Sequence, residues 1–270
     1  MRRVLAGYDG VPRALATALD DAIRLGHVVR RVAWAPGGVR VECTTPSGAS
    51  LDAVRARCVV VTLPVGVLQA APPMTGAVVF DPDPPGVRAA LATLASGSVT
   101  RVTLQFDEPF WEDDATVTRR AGGPLPHLSF VHGRGDEFPV WWTTHPAHEP
   151  LLVGWTGGPA AARLAQLRGD ALIERALAAL SRHLGPSTVR LRRRLRGWWH
   201  HDWEHDPFAR GAYSYALVGG HDAARRLARP VRGTLFFAGE ATDTAGSTGT
   251  VHGAIASGER AAKQVLKALG

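Results

Sequence analysis

The sequence predicts a mixed α/β (α+β) protein in which one domain is interrupted by a second. Near the start, residues 58–63 form a continuous apolar run that ends at Pro64, which is typical of a strand buried on both faces. Near the end, residues 234–238 form a similar strand, followed by Gly239-Glu240, a loop of small residues and a helix. Because the segment between these regions holds alternating, tryptophan-rich strands, we expect a mixed or antiparallel sheet there.

The first region is predicted to contain a helix and a hairpin. Apolar residues recur every four positions over 12–23, which predicts a helix that stops at Gly26. Strands are predicted over 28–34 and 39–43, joined by a tight turn at the Pro-Gly-Gly sequence 36–38.

The middle region begins with a proline-rich stretch, 71–90, which we interpret as a loop or linker. Alternating apolar residues and one amphipathic stripe predict the elements that follow. They are strands over 99–106, 140–144, 151–155 and 189–199, and a helix over 170–184.

The last helix is predicted to begin near Thr250. Gly253 and Gly258 have no side chain, so a neighbouring element can approach this helix closely. Its apolar face is predicted to consist of Ile255, Ala262, Leu266 and Leu269.

The basic composition does not predict a nucleic-acid partner. The net charge is +7, but the only lysines are Lys263 and Lys267, so the excess is arginine and indicates a compositional bias. The one dense cluster, 190–196, is interpreted as the solvated face of a strand. No apolar run approaches the roughly 20 residues of a membrane helix, so no membrane partner is expected.

Cysteine and histidine patterns predict no metal site. Cys43 and Cys58 are the only cysteines, which favours a reducing compartment and a cytoplasmic location. His200, His201 and His205 lie in the sequence HHDWEH, but no second group of metal-type ligands accompanies them.

The unit of strand, Gly-Glu, loop and helix suggests a ligand site. A strand would deliver Glu240 at its carboxyl edge, where ligands bind in open α/β sheets. The helix start near Thr250 and Val251 would present free N–H groups that stabilise negative charge. From these residues alone, Glu240 can equally be a helix-capping or surface carboxylate.

Residues 235–262, LFFAGEATDTAGSTGTVHGAIASGERAA, resemble the C-terminal signature of the flavin amine oxidase family. That family includes monoamine oxidases, polyamine oxidases and flavin histone demethylases. Four further stretches resemble family segments in the same order along the chain. They are VLAGYDGVPRALATAL, CVVVTLPVGVLQ, GSVTRVTLQFDEPFW and WEHDPFARGAYSYALVG.

The resemblance implies FAD as cofactor and a discontinuous fold. Residues 1–70 and 225–270 would form an incomplete FAD-binding lobe, and residues 71–224 an inserted substrate-binding domain. The expected reaction oxidises a C–N bond of a small-molecule amine with O2, giving an imine or carbonyl and H2O2. Two alternatives stay open: a related flavin desaturase or protoporphyrinogen-type oxidase, and a non-catalytic truncated remnant.

The resemblance also implies roles for seven residues. Val29, Glu240, Thr250 and Val251 would contact the cofactor: Val29 on the adenine side, Glu240 at the linker, and the last two at the isoalloxazine. Arg101, Trp203 and Tyr213 would be the catalytic residues, with the two aromatic side chains near the flavin. Ordinary core packing is the alternative for each aromatic residue, and a solvent-facing strand edge is the alternative for Arg101.

Three departures from the family pattern bear on activity. The chain contains no GxGxxG motif, which in the family holds the ADP part of FAD, so we expect a truncated protein. An upstream FAD-binding segment or a second copy of the chain is therefore a candidate partner. Arg101 stands where the family commonly has a lysine, and Thr250 stands where monoamine oxidases have a tyrosine.

Overall fold

The computed structural model describes residues 7–19 and 22–270. They form two compact units, which we name by their order along the chain: an outer unit, from the described residues of 1–95 and 214–270, and an inner unit of Ser96–Tyr213. Each unit contains helices and sheets, which confirms the mixed α/β fold class.

The inner unit is shorter than the predicted substrate domain, because residues 71–95 and 214–224 cluster with the outer unit. The stretch 71–90, predicted as a loop or linker, is only partly irregular. It contains a strand, Val79–Asp81, that pairs in parallel with the strand Val28–Ala35. It also contains a short helix, Val87–Leu91, whose apolar residues are buried in the core of the outer unit.

The outer unit is built on short sheets. Its strands are β1 (Val28–Ala35), β2 (Gly38–Thr44), β3 (Val54–Ala56), β4 (Val59–Val61), β5 (Val79–Asp81), β6 (Leu94–Ser96), β12 (Ser214–Ala216) and β13 (Leu235–Phe237). One sheet has the order β3-β2-β1-β5, and two-stranded sheets join β13 to β4 and β12 to β6. The predicted hairpin is confirmed, with Ala35 opposite Gly38 across a two-residue turn.

The helices of the outer unit are α1 (Gly10–Ala16), α2 (Val65–Leu68), α3 (Val87–Leu91), α8 (Ala223–Leu227) and α9 (Val251–Leu269). The predicted helix 12–23 was too long, since α1 ends at Ala16 and buries none of its residues. The strand predicted over 58–63 is confirmed as β4, but it is not buried on both faces. Val61 is 6% exposed, whereas Val60 is 39% exposed.

The start of α9 is confirmed, but its predicted apolar face is wrong. The buried residues are Gly253, Ser257 and Ala261, which are spaced by four and form one stripe. Ile255 and Leu266 are exposed. At Gly253 any side chain is excluded, because the Ser247 backbone in the loop before the helix lies where a Cβ would be.

The inner unit is one antiparallel sheet covered by helices. Its strands are β7 (Val99–Phe106), β8 (Phe130–His132), β9 (Val140–Thr143), β10 (Leu151–Gly157) and β11 (Leu195–His200), in the order β11-β7-β10-β9-β8. Its helices are α4 (Ala115–Ala121), α5 (Gly158–Leu164), α6 (Gly169–Leu184) and α7 (Thr188–Arg194). The core joins Val102, Leu104 and Trp141 of the sheet to Leu177 and Leu180 of α6.

The predicted strand 189–199 is wrong over its first half, which forms α7. Ser187 begins this helix because its hydroxyl accepts a hydrogen bond from the Arg190 backbone N–H at 3.3 Å. Arg190 and Arg194 pair with the buried carboxylate of Asp114 at 2.6 and 3.4 Å, and Arg194 also pairs with Asp107. These arginines therefore hold the inner unit together. No helix in the described part of the chain is long and apolar enough to cross a bilayer.

Candidate functional site

Glu240 joins separate segments of the outer unit. It follows β13 and begins a 3-10 turn, Glu240–Thr242. Its carboxylate accepts hydrogen bonds from the backbone N–H and the hydroxyl of Ser214, both at 3.0 Å, and from the Gly249 backbone N–H at 2.8 Å. A carboxylate has about four acceptor positions, so roughly one is left. Glu240 is therefore neither a helix cap nor a surface carboxylate, but the residue that fixes the loop before α9.

Asp243 and Thr250 complete the folding of that loop. The buried Asp243 carboxylate accepts hydrogen bonds from the backbone N–H groups of Ala245, at 3.1 Å, and Ser247, at 2.6 Å. The Thr250 hydroxyl donates to the Ser247 carbonyl at 2.6 Å and accepts from the Gly253 N–H at 3.1 Å. Thr250 is therefore the N-cap of α9, and its hydroxyl is engaged within the protein.

The first turn of α9 offers backbone donors to a ligand. A helix start has four N–H groups without intrahelical acceptors. The Thr250 carbonyl accepts the first intrahelical bond, from Ala254 at 3.0 Å, and of the N–H groups before Ala254 that of Gly253 donates to the Thr250 side chain. The N–H groups of Val251 and His252 are then the donors at the helix end, where the dipole favours negative charge. Val251 is 68% exposed, so this end is open.

Arg260 anchors α9 to the rest of the outer unit. Its guanidinium donates to the carbonyls of Ala228, at 3.0 Å, and Phe237, at 2.9 Å. It also donates to the Thr242 hydroxyl at 2.8 Å and to the Gln264 side-chain carbonyl at 3.0 Å. Burial lowers the pKa of Arg260, and the nearby Asp243 carboxylate opposes that effect.

Sequence reasoning missed both Arg260 and Asp243. A signal for Arg260 was available, since it is a long charged residue next to the small-residue stripe of α9. Val29, the remaining residue predicted to contact the cofactor, lies in β1 opposite Cys43 and packs partly buried against the core of the same unit.

Arg101 is not at a strand edge, because β7 lies between β10 and β11. Alternate residues of β7, including Val102 and Leu104, enter the core, and Arg101 points to the opposite face. Trp155 lies directly across from Arg101 on β10. On this face of the sheet, the indole ring of Trp155 therefore lies next to the permanent positive charge of Arg101.

We refer to an open depression on the inner unit as the tryptophan groove. It is lined by Arg101, Thr103, Trp198, Trp199, His200, His201 and Trp203. Burial lowers the pKa of His200, while the Asp202 carboxylate opposes that change and Arg168 reinforces it. Imidazole rings and a guanidinium thus lie among indole rings in one groove.

Trp203 and Tyr213 are both surface residues, so the core-packing alternative is wrong for each. Trp203 is 45% exposed and contacts the His201 ring with centroids 4.2 Å apart. Tyr213 is 47% exposed, and its carbonyl accepts a hydrogen bond from Gly97 at 2.9 Å. The structure brings Arg101 and Trp203 into the tryptophan groove, whereas Tyr213 does not line it.

Two of the three HHDWEH histidines pair with carboxylates. His201 pairs with Asp206 at 2.8 Å, and His205 pairs with Asp202 at 3.0 Å. A different group of three histidines comes together in the inner unit: His127, His145 and His148.

The comparison with protein families gives an extended match. The model of flavin containing amine oxidoreductases matches residues 1–266. The chain belongs to this family. The matched region includes both the loop that Glu240 fixes and the start of α9.

Among curated members of this amine oxidoreductase family, a possible lysine-specific histone demethylase 1 of Drosophila melanogaster is 31% identical, covering 96% of this chain and 29% of that protein. Polyamine oxidase 4 of Oryza sativa subsp. japonica is 31% identical, covering 97% of this chain and 48% of that protein. The chain thus spans about half, or less, of the length of these relatives.

Solved structures of the family show the same fold. A putrescine oxidase structure with bound putrescine has a TM-score of 0.77 and 23% identity, and the similarity covers 98% of this chain and 54% of that one. The outer unit has donors that are compatible with a flavin: the Val251 and His252 N–H groups can donate to a ligand, and beside them the Ser247 backbone closely approaches Gly253, which has no side chain.

Proposed function

We propose that this chain supplies the isoalloxazine wall and the substrate-binding domain of an FAD-dependent amine oxidase. The reaction oxidises a C–N bond of an amine with O2 and gives an imine, its carbonyl hydrolysis product and H2O2. The observation that supports it most directly is the loop that Glu240 fixes through Ser214 and Gly249, which sets the start of α9. Family membership links that geometry to a flavin.

Bound FAD would supply the hydride acceptor, and the protein would supply positioning and electrostatics. Reduction places negative charge on the N1/C2=O edge of the ring. The N–H groups of Val251 and His252, at the positive end of α9, would stabilise that charge without reorganising. Thr250 would contribute through its backbone, because its hydroxyl is bonded to Ser247 and Gly253.

Glu240 would act on the cofactor mainly as the residue that fixes the loop. Three donors already occupy its carboxylate, and its remaining acceptor position is available to a hydroxyl of the ribityl chain. Val29 would contact the adenine side through the backbone of β1.

The tryptophan groove would bind the amine substrate. Indole faces provide a large apolar surface that can bury the methylene chain of an amine. Arg101 raises the energy of a second cation in the groove, which favours the neutral amine from which a hydride can leave. The guanidinium of Arg101 differs in size and donor geometry from the ammonium of the lysine that the family commonly has here. Arg101 would therefore act through its charge and by limiting the space for the substrate. Tyr213 would contribute from outside this groove.

We expect the 270-residue chain by itself to bind FAD weakly, because it has no GxGxxG turn for the pyrophosphate. Extending the chain with an in-frame upstream segment that contains this motif, or co-expressing that segment, should give stoichiometric FAD. The measurement is flavin absorbance per protein after desalting, together with FAD titration. A chain that is fully yellow without such a segment contradicts this prediction.

In the extended protein, Glu240→Ala should weaken FAD binding by at least tenfold, because the loop before α9 loses three hydrogen bonds. Glu259→Ala is the matched control, since Glu259 is an exposed carboxylate on α9. Unchanged FAD affinity of Glu240→Ala, with Glu259→Ala also unchanged, would show that Glu240 does not shape the flavin site.

The reaction is tested by anaerobic flavin reduction and by peroxide release on admission of air. The relatives' names suggest the panel: putrescine, longer polyamines and a histone peptide with methylated lysine. We expect flavin reduction and one H2O2 per amine oxidised with at least one class. Turnover of a polyene or porphyrinogen but of no amine would favour the related desaturase or protoporphyrinogen-type oxidase. FAD-loaded protein inert toward all of these would favour a non-catalytic remnant.

A further inference from the structure

Three histidines of the inner unit converge although two segments of chain carry them. His127 precedes β8, while His145 and His148 lie in the connection between β9 and β10. One ring nitrogen from each lies within 4.8 Å of the other two. The ring centroids of His127 and His145 are 5.5 Å apart, and those of His145 and His148 are 6.0 Å apart.

The two segments are tied together by backbone and side-chain hydrogen bonds. The buried Thr143 hydroxyl donates to the Leu128 carbonyl and accepts from the His145 backbone N–H at 3.1 Å. The Thr143 N–H donates to the Ser129 carbonyl at 3.1 Å. The position of His127 relative to His145 is therefore set by the ends of β8 and β9.

Glu112 holds the third histidine. Its carboxylate contacts Nδ1 of His148 at 2.7 Å, and its backbone carbonyl accepts a hydrogen bond from Leu125 at 3.1 Å. A carboxylate bonded to one ring nitrogen fixes the imidazole and makes the other nitrogen a better metal ligand. Glu112 thus anchors His148 through its side chain and the segment leading to His127 through its backbone.

We propose that His127, His145 and His148 bind one Zn²⁺ ion, and that Glu112 orients His148 from outside the coordination shell. Three imidazoles with Zn–N bonds of about 2.0–2.1 Å place their ring centroids roughly 5 Å apart. The observed centroid distances exceed this by about 1 Å or less for two pairs, and the third, between His127 and His148, is 6.5 Å. His127 and His148 are exposed, so rotation of their rings can close the difference.

The ligand set predicts the class of metal and the form of the site. Imidazole nitrogens favour Zn²⁺ and its neighbours Co²⁺, Ni²⁺ and Cu²⁺ over Mg²⁺ or Ca²⁺. Three protein ligands leave one tetrahedral position for water or an exogenous ligand. The sequence did not indicate this cluster, because His127 is far along the chain from the segment His145-Pro-Ala-His148.

The test is zinc titration of tag-free protein that has been treated with a chelator, followed by metal analysis after dialysis. We expect one Zn²⁺ per chain. His127→Gln, His145→Gln and His148→Gln should each raise the dissociation constant at least tenfold, and Glu112→Gln by about 10–100-fold. Substitution by Co²⁺ should give the intense visible absorption of four-coordinate cobalt, and this band should be lost in the three histidine variants.

Two controls use histidines outside the cluster. His132→Gln removes an exposed histidine of the same unit, and the double variant His201→Gln/His205→Gln removes the HHDWEH pair; both should bind zinc as the unaltered chain does. Circular dichroism without zinc establishes that each variant is folded. If His145→Gln does not fold, the exposed His127 and His148 decide the result. The proposal is overturned by absent zinc binding, by zinc lost only in the HHDWEH variant, or by zinc retained unchanged in the cluster variants.

Discussion

Gly253→Ala is expected to destabilise the outer unit by about 2 kcal/mol, the magnitude typical of a side chain forced into occupied space. A Cβ atom at this position would lie 2.2 Å from the Ser247 carbonyl oxygen and 2.9 Å from its carbonyl carbon. Both are backbone atoms, so no side-chain rotation relieves the overlap. The loop must move away from α9, and the Thr250 cap of the helix must loosen with it.

Gly258→Ala is the matched control, because it makes the same change on the same helix. Gly258 is exposed, and a Cβ built there meets nothing within 4 Å. Alanine should therefore stabilise α9 by about 0.8 kcal/mol through its higher helix propensity. The two glycine substitutions are thus expected to have opposite signs.

The measurement must report on the outer unit, because two units need not unfold in one step. Hydrogen exchange followed by mass spectrometry resolves peptides from residues 235–270. Gly253→Ala should speed exchange in these peptides and Gly258→Ala should slow it, while peptides from α6 stay unchanged. Destabilisation of equal size in both variants would show that Ser247 does not constrain Gly253.

Local sequence patterns correctly predicted those elements whose signal lies within the element itself. The Pro-Gly turn between β1 and β2, the amphipathic stripe of α6 and the start of α9 near Thr250 are such cases, and the structure confirms all three. At the turn and at the helix start, the contacts that fix the element come from residues a few positions away. In α6 the periodicity of the stripe is local, although the stripe packs on distant sheet residues such as Val102 and Leu104.

Elements fixed by distant partners were predicted wrongly. The arginine-rich stretch at 190–194 has no pattern that separates strand from helix, and it folds as α7 with Leu191 buried and arginines paired to Asp114. Residues 79–81, within the proline-rich stretch 71–90, form a strand because β1 offers them an edge. Neither partner is close in sequence, so no local pattern encodes the outcome.

The candidate site divides in the same way. The sequence predicted Glu240 and the helix start, but it could not show that Glu240 is committed to Ser214, which is 26 positions away. It gave no indication that His127 would meet His145 and His148, because strand pairing brings them together. Roles that depend on contacts between residues distant in sequence therefore could not be predicted from the sequence and required the structure.

Arg260→Ala is expected to have the largest effect in the outer unit, a loss of about 3 kcal/mol. Hydrogen bonds to a charged group contribute about 1.5–3 kcal/mol each, and leaving buried acceptors unpaired adds a cost. The guanidinium bonds the Phe237 carbonyl at the end of β13 and the Thr242 hydroxyl in the turn that begins at Glu240. Its removal also leaves the buried Asp243 carboxylate without its nearby positive charge.

Arg260→Lys separates charge from geometry. An ammonium keeps the positive charge near Asp243, but it cannot match the planar fork that reaches Phe237, Ala228 and Thr242 together. We expect this variant to lose about 2 kcal/mol, between the alanine variant and the unaltered chain. Arg225→Lys, at an exposed position on α8, is the matched control and should change stability by less than about 0.5 kcal/mol.

Hydrogen exchange in residues 235–250 decides whether Arg260 supports the candidate flavin wall or only the body of α9. If the anchor acts through Phe237 and Thr242, exchange should accelerate in the loop before α9 as well as in the helix. Acceleration confined to the C-terminal half of α9 would mean that the bonds to Ala228 and Gln264 dominate. In that case the loop is held by Glu240 and Asp243 alone, and Arg260 variants of the extended protein should bind FAD as tightly as the unaltered one.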